Sequence, residues 1–360
     1  MTSPLILTGA SGFLGWHVRV LARAHGLPDP IAVTRADLCR PDLLAGLLSG
    51  ADRVLHVAGV NRGEADLGNR ELADQLAAGL RRCATPPKTV VFANSIQAGN
   101  GTAYGDGKAA AAATLAEATE WSGSRFEDVR LPNLFGEHGR PYYNSVVATF
   151  CRELADGNTP RVDQDRPLDL LHATDAAALL AGLPAAGPTR CGVGDLLDRL
   201  REMAARYAVG EIPSLTSRFD VRLFNTYRSH LFPATTPFPL PCHSDTRGDL
   251  VEAVKVHGGG GQTFVSTTNP GITRGEHFHL AKVERFLVLR GEALIRVRRV
   301  LHDDIHTFRV RGERPAFVDM PAMWAHSITN IGDSDLLTLF WSNEVFDPGQ
   351  PDTFPERVVA

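Results

Sequence analysis

Leu5-Ile6-Leu7-Thr8-Gly9-Ala10-Ser11-Gly12-Phe13-Leu14-Gly15 is the first readable pattern in the chain, and a helical stretch containing Val18, Leu21 and Ala22 follows it. A short apolar strand that runs into glycines and then a helix lets the backbone turn tightly against a pyrophosphate, whose charge lies on the helix N-terminus. Gly9, Ser11, Gly12, Phe13, Leu14 and Gly15 are therefore candidate cofactor contacts. Outward from this stretch, short β-rich runs at 31–34, 54–57, 89–93 and 129–131 alternate with Ala/Leu-rich segments as far as about residue 185. This alternation predicts an α/β domain with a Rossmann-like, doubly wound parallel sheet.

Beyond residue 245 the texture changes to dense β-branched runs at 286–289, 293–297 and 336–341, punctuated by Gly, Asn and Asp. An all-β antiparallel barrel or sandwich is expected there. Between the two textures, residues 233–241 carry four prolines in nine positions, which excludes a helix or a central strand. The joint is placed in that segment, giving domains at 1–240 and 245–360. The length of 360 residues accommodates two such domains.

Composition removes several function classes. With 43% hydrophobic and 22% charged residues the chain reads as a soluble globular protein and not as a disordered one. A net charge of -4 without a long basic run argues against a nucleic-acid partner. Five widely spaced cysteines, at 39, 83, 151, 191 and 242, show no C-x-x-C pair and fit a reducing cytoplasm. Residues 1–4 lack the basic flank of a signal peptide, and no run reaches the roughly 18 apolar residues that a membrane span needs. No membrane partner is expected.

The first half carries hydride-transfer chemistry. Where an NAD-binding protein offers a carboxylate to the ribose 2'-OH, this chain has Thr34-Arg35, and an arginine there can pair with the 2'-phosphate of NADPH. Asp37 and Leu38 would flank the adenine, and Ala58-Gly59 supplies small residues where a cofactor passes close to backbone. Tyr104 and Lys108 stand four apart on one face of an expected helix, where an ammonium beside the phenol, together with an oxidised nicotinamide, is expected to lower its pKa. Ser95, at the end of the fourth strand, can hydrogen-bond the carbonyl being reduced. These residues resemble the extended short-chain dehydrogenase/reductase family over about residues 4 to 185, whose members mostly act on nucleotide sugars. The resemblance assigns Asn133, in Arg130-Leu131-Pro132-Asn133, to the substrate's diphosphate; Gly107 stands where the family more usually has a serine.

The second half carries Gly271-(x5)-His277-x-His279-(x4)-Glu284-(x6)-Gly291, with His326 further on. Two histidines at alternate strand positions point to the same side, and a carboxylate on the next strand can complete three metal ligands. The pattern resembles the two motifs of the cupins, which implies a double-stranded β-helix, or jelly-roll, barrel and adds His326 as a fourth ligand. Met323 and Pro315 stand where the second motif has glycines. Imidazole with carboxylate suits zinc, iron, manganese or nickel; zinc is expected because nothing in the sequence implies oxygen chemistry.

Over nearly its whole length the chain is similar to the CapF-type enzymes of capsular polysaccharide biosynthesis, in which a reductase is fused to a cupin. The resemblance implies a nucleotide-sugar substrate, C3 epimerisation of a UDP-4-keto-6-deoxy-HexNAc by the cupin, and NADPH-dependent reduction at C4 by the first domain, toward UDP-N-acetyl-L-fucosamine or a related sugar. Lys282 and the cluster histidines are candidates for substrate contact and acid–base work. Two other readings stay open: a reductase whose cupin only assembles or binds sugar, and an iron cupin dioxygenase fused to a reductase. A homodimer is expected.

Overall fold

The computed structural model describes residues 5–359; residues 1–4, read above for a leader, lie outside the described residues. In chain order the first elements are β1 (Leu5–Thr8), α1 (Phe13–Ala24), β2 (Ile31–Val33), α2 (Arg35–Leu38), α3 (Pro41–Leu48), β3 (Arg53–His56), α4 (Ala65–Leu80), β4 (Thr89–Ser95), α5 (Ala103–Ser122) and β5 (Arg125–Leu131). Next come β6 (Asn133–Phe135), α6 (Val146–Ala155), β7 (Pro167–His172), α7 (Ala173–Ala181), β8 (Thr189–Gly192), α8 (Val193–Ala208) and α9 (Arg218–Leu231). From β9 (Phe238–Pro239) onward the chain is all strand: β10 (Cys242–Asp245), β11 (Gly248–Val251), β12 (Gln262–Thr268), β13 (Thr273–Phe278), β14 (Glu284–Arg290) and β15 (Glu292–Arg299). The last are β16 (Ile305–Arg311), β17 (Ala316–Met320), β18 (Trp324–Asn330), β19 (Leu336–Ser342) and β20 (Phe354–Pro355).

These elements form two compact units, one running to Phe135 and adding Leu168–Arg190, the other made of Gly136–Pro167 and everything from Cys191 onward. The first is a parallel sheet of order β2-β1-β3-β4-β5, with Ile6 beside both Ile31 and Val54. Ile6, Val54, Val90 and Phe92 on its strands bury against Leu44 and Leu48 of α3, Leu72 and Leu76 of α4, and Ala111 and Leu115 of α5. A crossover helix after each strand is what brings parallel neighbours together. The second unit holds two five-stranded antiparallel sheets, β12-β19-β14-β17-β9 and β16-β15-β18-β13-β20. Phe286, Val318 and Phe340 of one sheet interleave with Ile295, Val297 and Ile328 of the other in one core. The fold class expected from the sequence is the one observed. No helix among the described residues is long and apolar enough to cross a membrane.

The packing does not follow a cut at residues 233–241, because α8 and α9 associate with the strands that come after them. Arg285, fully buried on β14, makes a two-armed ion pair with Asp319 of β17 at 2.7 and 2.9 Å, and donates to Gly210 O at the end of α8 at 2.7 Å. Tyr207 of α8 donates to the same carboxylate at 3.0 Å, and the guanidinium lies 3.4 Å over the Phe317 ring. From α9, Arg222, Asn225 and Arg228 donate to the carbonyls of Leu280, Ala281 and Met320.

Removing one member of such a buried pair leaves the other charge without its partner. Arg285→Met is expected to cost the second unit about 3–5 kcal/mol in denaturant unfolding, and Arg285→Met with Asp319→Asn to recover part of it. Loss below about 1 kcal/mol, the scale of an exposed pair, would contradict this.

Candidate functional site

In the first unit the expected groups gather at the carboxyl ends of β1, β3 and β4. Gly9 has φ +72°, and a Cβ there would fall 2.7 Å from Ala58 N; one on Gly15 would fall 2.1 Å from Gly9 O. Glycine is required at both positions because strand, loop and helix touch through bare backbone. Gly12 is the N-cap of α1, without a capping side chain and with no acidic residue in the first turn, so the helix N-terminus keeps its positive end for an anion. Ser11 is exposed, and Phe13 and Leu14 half-buried, around that end.

Arg35 is exposed and makes no ion pair among the described residues. Asp37 is bound locally: Thr34 Oγ1 donates to its carboxylate at 2.6 Å while Asp37 N donates back at 3.2 Å, a reciprocal cap on α2 that holds the carboxyl below its ordinary range. Leu38 is 2% exposed and packs in the sheet core. Gly59 leaves room beside Lys108, whose Nζ a Cβ there would approach to 3.3 Å.

Ser95 ends β4, and Tyr104 and Lys108 lie in the first turns of α5, which starts from a Thr102 cap. Gly107 is explained by helix packing, since a Cβ would sit 2.5 Å from Asp66 Cα on α4. Burial raises the Tyr104 phenol above its ordinary value, and a hydrogen bond with Ser95 partly offsets it. The Lys108 ammonium donates to Ala93 O at 2.9 Å, over the Phe92 ring. Burial brings Lys108 down to about 8, and Asp128 resists that shift.

Sequence reasoning missed His56 at the end of β3. It is buried, bonded to Thr8 Oγ1 at 2.9 Å, stacked on Phe92, and brought down to about 3 by burial and by Lys108. Thr8 Oγ1 also receives the amides of Val57 and Ala58, so one hydroxyl ties the two loops together. Asn133, half-buried at the start of β6, reaches Asp169 O at 3.5 Å.

In the second unit, one ligand atom from each of His277, His279, Glu284 and His326 lies within 4.8 Å of the others. His277 faces His326 across β13 and β18, next to a register shift at Gly275, where Glu276 takes φ +60°. Glu284 comes from β14 of the opposite sheet, where it pairs with Met320 and Ser342. Each histidine has a backbone bond that fixes its orientation: His277 to Gly275, His279 Nδ1 to Asp352 O, and His326 Nδ1 to Trp324 O at 3.2 Å. Such bonds set the tautomer and aim the other nitrogen.

His279 Nε2 is 2.9 Å from Glu284 Oε2. His326 Nε2 is fully buried, 3.6 Å from the same oxygen, and has no hydrogen-bond partner among the described residues. An orphaned buried nitrogen among two further imidazoles and a carboxylate fits a first-row divalent cation. Burial and the neighbouring imidazoles lower His277 to about 3; burial lowers His326. Burial would raise Glu284, but His279 and His326 outweigh it and hold the carboxyl well below its usual range.

Met323, where the cupin motif has glycine, takes φ +63° and donates its N–H to His279 O at 2.7 Å, so the glycine conformation is kept without the glycine. Lys282 is buried, and its ammonium donates to Pro351 O at 2.6 Å and Thr353 Oγ1 at 3.3 Å. Work as a base would require those bonds to open.

The comparisons with known proteins match a first part and a second part of the chain to two different families. Residues 5–186 match the NAD dependent epimerase/dehydratase family, and residues 243–354 match the Polysaccharide biosynthesis C-terminal domain. The UDP-2-acetamido-2,6-beta-L-arabino-hexul-4-ose reductase of Pseudomonas aeruginosa is 32% identical over 368 residues, covering 97% of each chain. The crystal structure of the capsular polysaccharide assembling protein CapF from Staphylococcus aureus is 31% identical, with 99% of this chain and 100% of that one covered at a TM-score of 0.61. CapF solved with the inhibitor 3-isopropenyl-tropolone is 30% identical over the same shares, at a TM-score of 0.55. The chain belongs to the NAD dependent epimerase/dehydratase family and, within it, to the CapF-type proteins that carry a polysaccharide biosynthesis C-terminal domain. The family implies a nicotinamide cofactor.

Because Lys108 is brought down to about 8, its ammonium is intact below that pH and is lost as pH rises through it. Dinucleotide affinity, followed by fluorescence titration, is expected to be level up to neutrality and to fall through about pH 8, and Lys108→Met to remove that step. A level wild-type profile through pH 9 would contradict the role.

Proposed function

We propose that the chain is a bifunctional nucleotide-sugar enzyme: its antiparallel domain, a cupin, epimerises C3 of a UDP-4-keto-6-deoxy-HexNAc, and its parallel-sheet domain reduces the C4 ketone with NADPH. The product would be UDP-N-acetyl-L-fucosamine or a related deoxy amino sugar. The observation that carries the reading is the presence in one chain of two sites with complementary chemistry, Ser95-Tyr104-Lys108 and the His277, His279, Glu284, His326 cluster. The name of the P. aeruginosa relative, a reductase of a UDP-linked 4-ketosugar, supports the substrate class. On this reading residues 1–240 serve reduction and 245–360 serve epimerisation, in a homodimer working in the cytoplasm.

When bound, the nicotinamide supplies hydride to C4, and a divalent metal, here assigned as zinc, supplies positive charge near a developing enolate oxygen. Tyr104 donates its phenolic proton to the C4 oxygen, and Ser95 orients that oxygen through its hydroxyl. Gly9, Gly12 and the open end of α1 receive the pyrophosphate, Arg35 the 2'-phosphate, and Asn133 the sugar's diphosphate. The C3 proton lies α to the ketone, so a single base removes it; Lys282 and the cluster histidines are the candidates for that step.

Incubation with the UDP-4-keto-6-deoxy-HexNAc and NADPH is expected to give a product reduced at C4 and inverted at C3, read by NMR. Reduction with C3 retained would reduce the cupin to an assembly or sugar-binding module. Arg35→Ala is expected to shrink the preference for NADPH over NADH, since a partly exposed Arg–phosphate contact contributes about 1–3 kcal/mol, or roughly 5- to 150-fold. An unchanged ratio of catalytic efficiencies would contradict the cofactor assignment.

A further inference from the structure

Between the ligands His279 and Glu284 the chain makes a short crossing from one sheet to the other, and every residue in it is held by groups distant in sequence. Asp352 does most of this holding. Its Oδ1 accepts the N–H of Leu280 at 2.8 Å, and its Oδ2 accepts those of Ala281 and Lys282 at 2.9 and 2.8 Å. Its backbone oxygen accepts His279 Nδ1. Three amides on one carboxylate are charge-assisted bonds and stronger than neutral ones. Asp352 takes φ +38°, in the left-handed region that aspartate tolerates better than most residues. From the other side, Arg222 and Asn225 bind the carbonyls of Leu280 and Ala281, and Met323 N binds that of His279.

The segment around Asp352 is seated on the ligand strand itself. Phe354 and Pro355 of β20 pair with Phe278 and His277 of β13. Glu356 N donates to Glu276 O at 2.9 Å, and Val358 N to the Glu276 carboxylate at 2.7 Å. Further from the cluster, Arg298 binds Val358 O and the Glu356 carboxylate, both at 2.9 Å.

We infer that Asp352 is a positioning residue for the four-ligand cluster, and that metal uptake and the seating of residues 351–355 are one coupled event; this rests on the reading of the cluster as a metal site. The physical reason is that one residue sets both the tautomer of His279 and the path of the backbone that delivers Glu284. A metal that requires both ligands favours the seated segment, and by reciprocity the seated segment favours the metal.

The test uses the full chain, stripped of metal and titrated with Zn2+ against a competing chelator, with Co2+ as a spectroscopic probe. Asp352→Asn is expected to weaken Zn2+ binding by about 10- to 100-fold, the usual effect of losing such a supporting group, and to shift the visible Co2+ bands. Arg298→Met, which loosens only residues 356–358 beyond that stretch, is expected to speed amide exchange there and leave Zn2+ affinity near wild type. Wild-type affinity and Co2+ bands in Asp352→Asn, or equal weakening in both variants, would overturn the inference and leave the metal site standing. Without any variant, the amides of Leu280, Ala281 and Lys282 in the wild-type chain are expected to exchange more slowly with Zn2+ present, and unchanged exchange would also overturn it. A wild-type chain that takes up neither Zn2+ nor Co2+ would overturn the metal reading itself, and the inference with it.

Discussion

Glu284 is the group on which the second unit turns. It is a carboxylate enclosed by three imidazoles, and it is the cluster's only contribution from its sheet; His277 and His326 come from the other. A buried carboxylate needs compensating partners, and in the structure His279 Nε2 lies 2.9 Å and His326 Nε2 3.6 Å from the same carboxylate oxygen. The two sheets must therefore meet in one register: β14 has to begin at Glu284 opposite Met320 and Ser342, while β13 bulges at Gly275 to bring His277 opposite His326. Packing of Phe286 and Phe340 directly behind the cluster gives the carboxylate its dry surroundings.

The first unit separates a phenol from the ammonium one helical turn away. Tyr104 and Lys108 share a helix face, yet the ammonium is drawn to Ala93 O and Phe92, and the phenol is governed by burial and Ser95. A reductase has to deliver a proton to the reduced oxygen, and the Tyr104 phenol stands beside Ser95 for that step. The sheet supplies the geometry: Thr8, His56 and Ser95 end adjacent parallel strands, and a Thr8–His56 bond closes the two loops on which small residues stand.

Much of this was legible in the sequence because it is local. The glycine turn after Leu5-Ile6-Leu7-Thr8, the Tyr104/Lys108 spacing, and the His277-x-His279 pair each state a backbone geometry within a few residues. The Thr34-x-x-Asp37 cap is equally local, a reciprocal pair of bonds at the start of α2. What could not be read depends on distance. Asp352 lies 72 residues beyond the amide of Leu280 that it accepts, and an aspartate in a Pro/Asp-rich tail has no sequence signature of that role. Arg222, Asn225 and Arg228 look in sequence like the solvated face of α9; only the structure shows them buried on strand carbonyls. Met323 stands where the second cupin motif has glycine, and only the structure shows that it takes φ +63°, the left-handed conformation that glycine adopts most readily.

The central claim is that the two chemical steps belong to two sites. It is tested most directly by following solvent deuterium into C3 of the UDP-4-keto-6-deoxy-HexNAc with NADPH omitted, because forming the enolate requires no hydride. The account predicts exchange at the wild-type rate in Tyr104→Phe and its loss in His277→Ala. Exchange lost in Tyr104→Phe and retained in His277→Ala would show that the parallel-sheet site performs both steps and that the His/Glu cluster has no part in the chemistry.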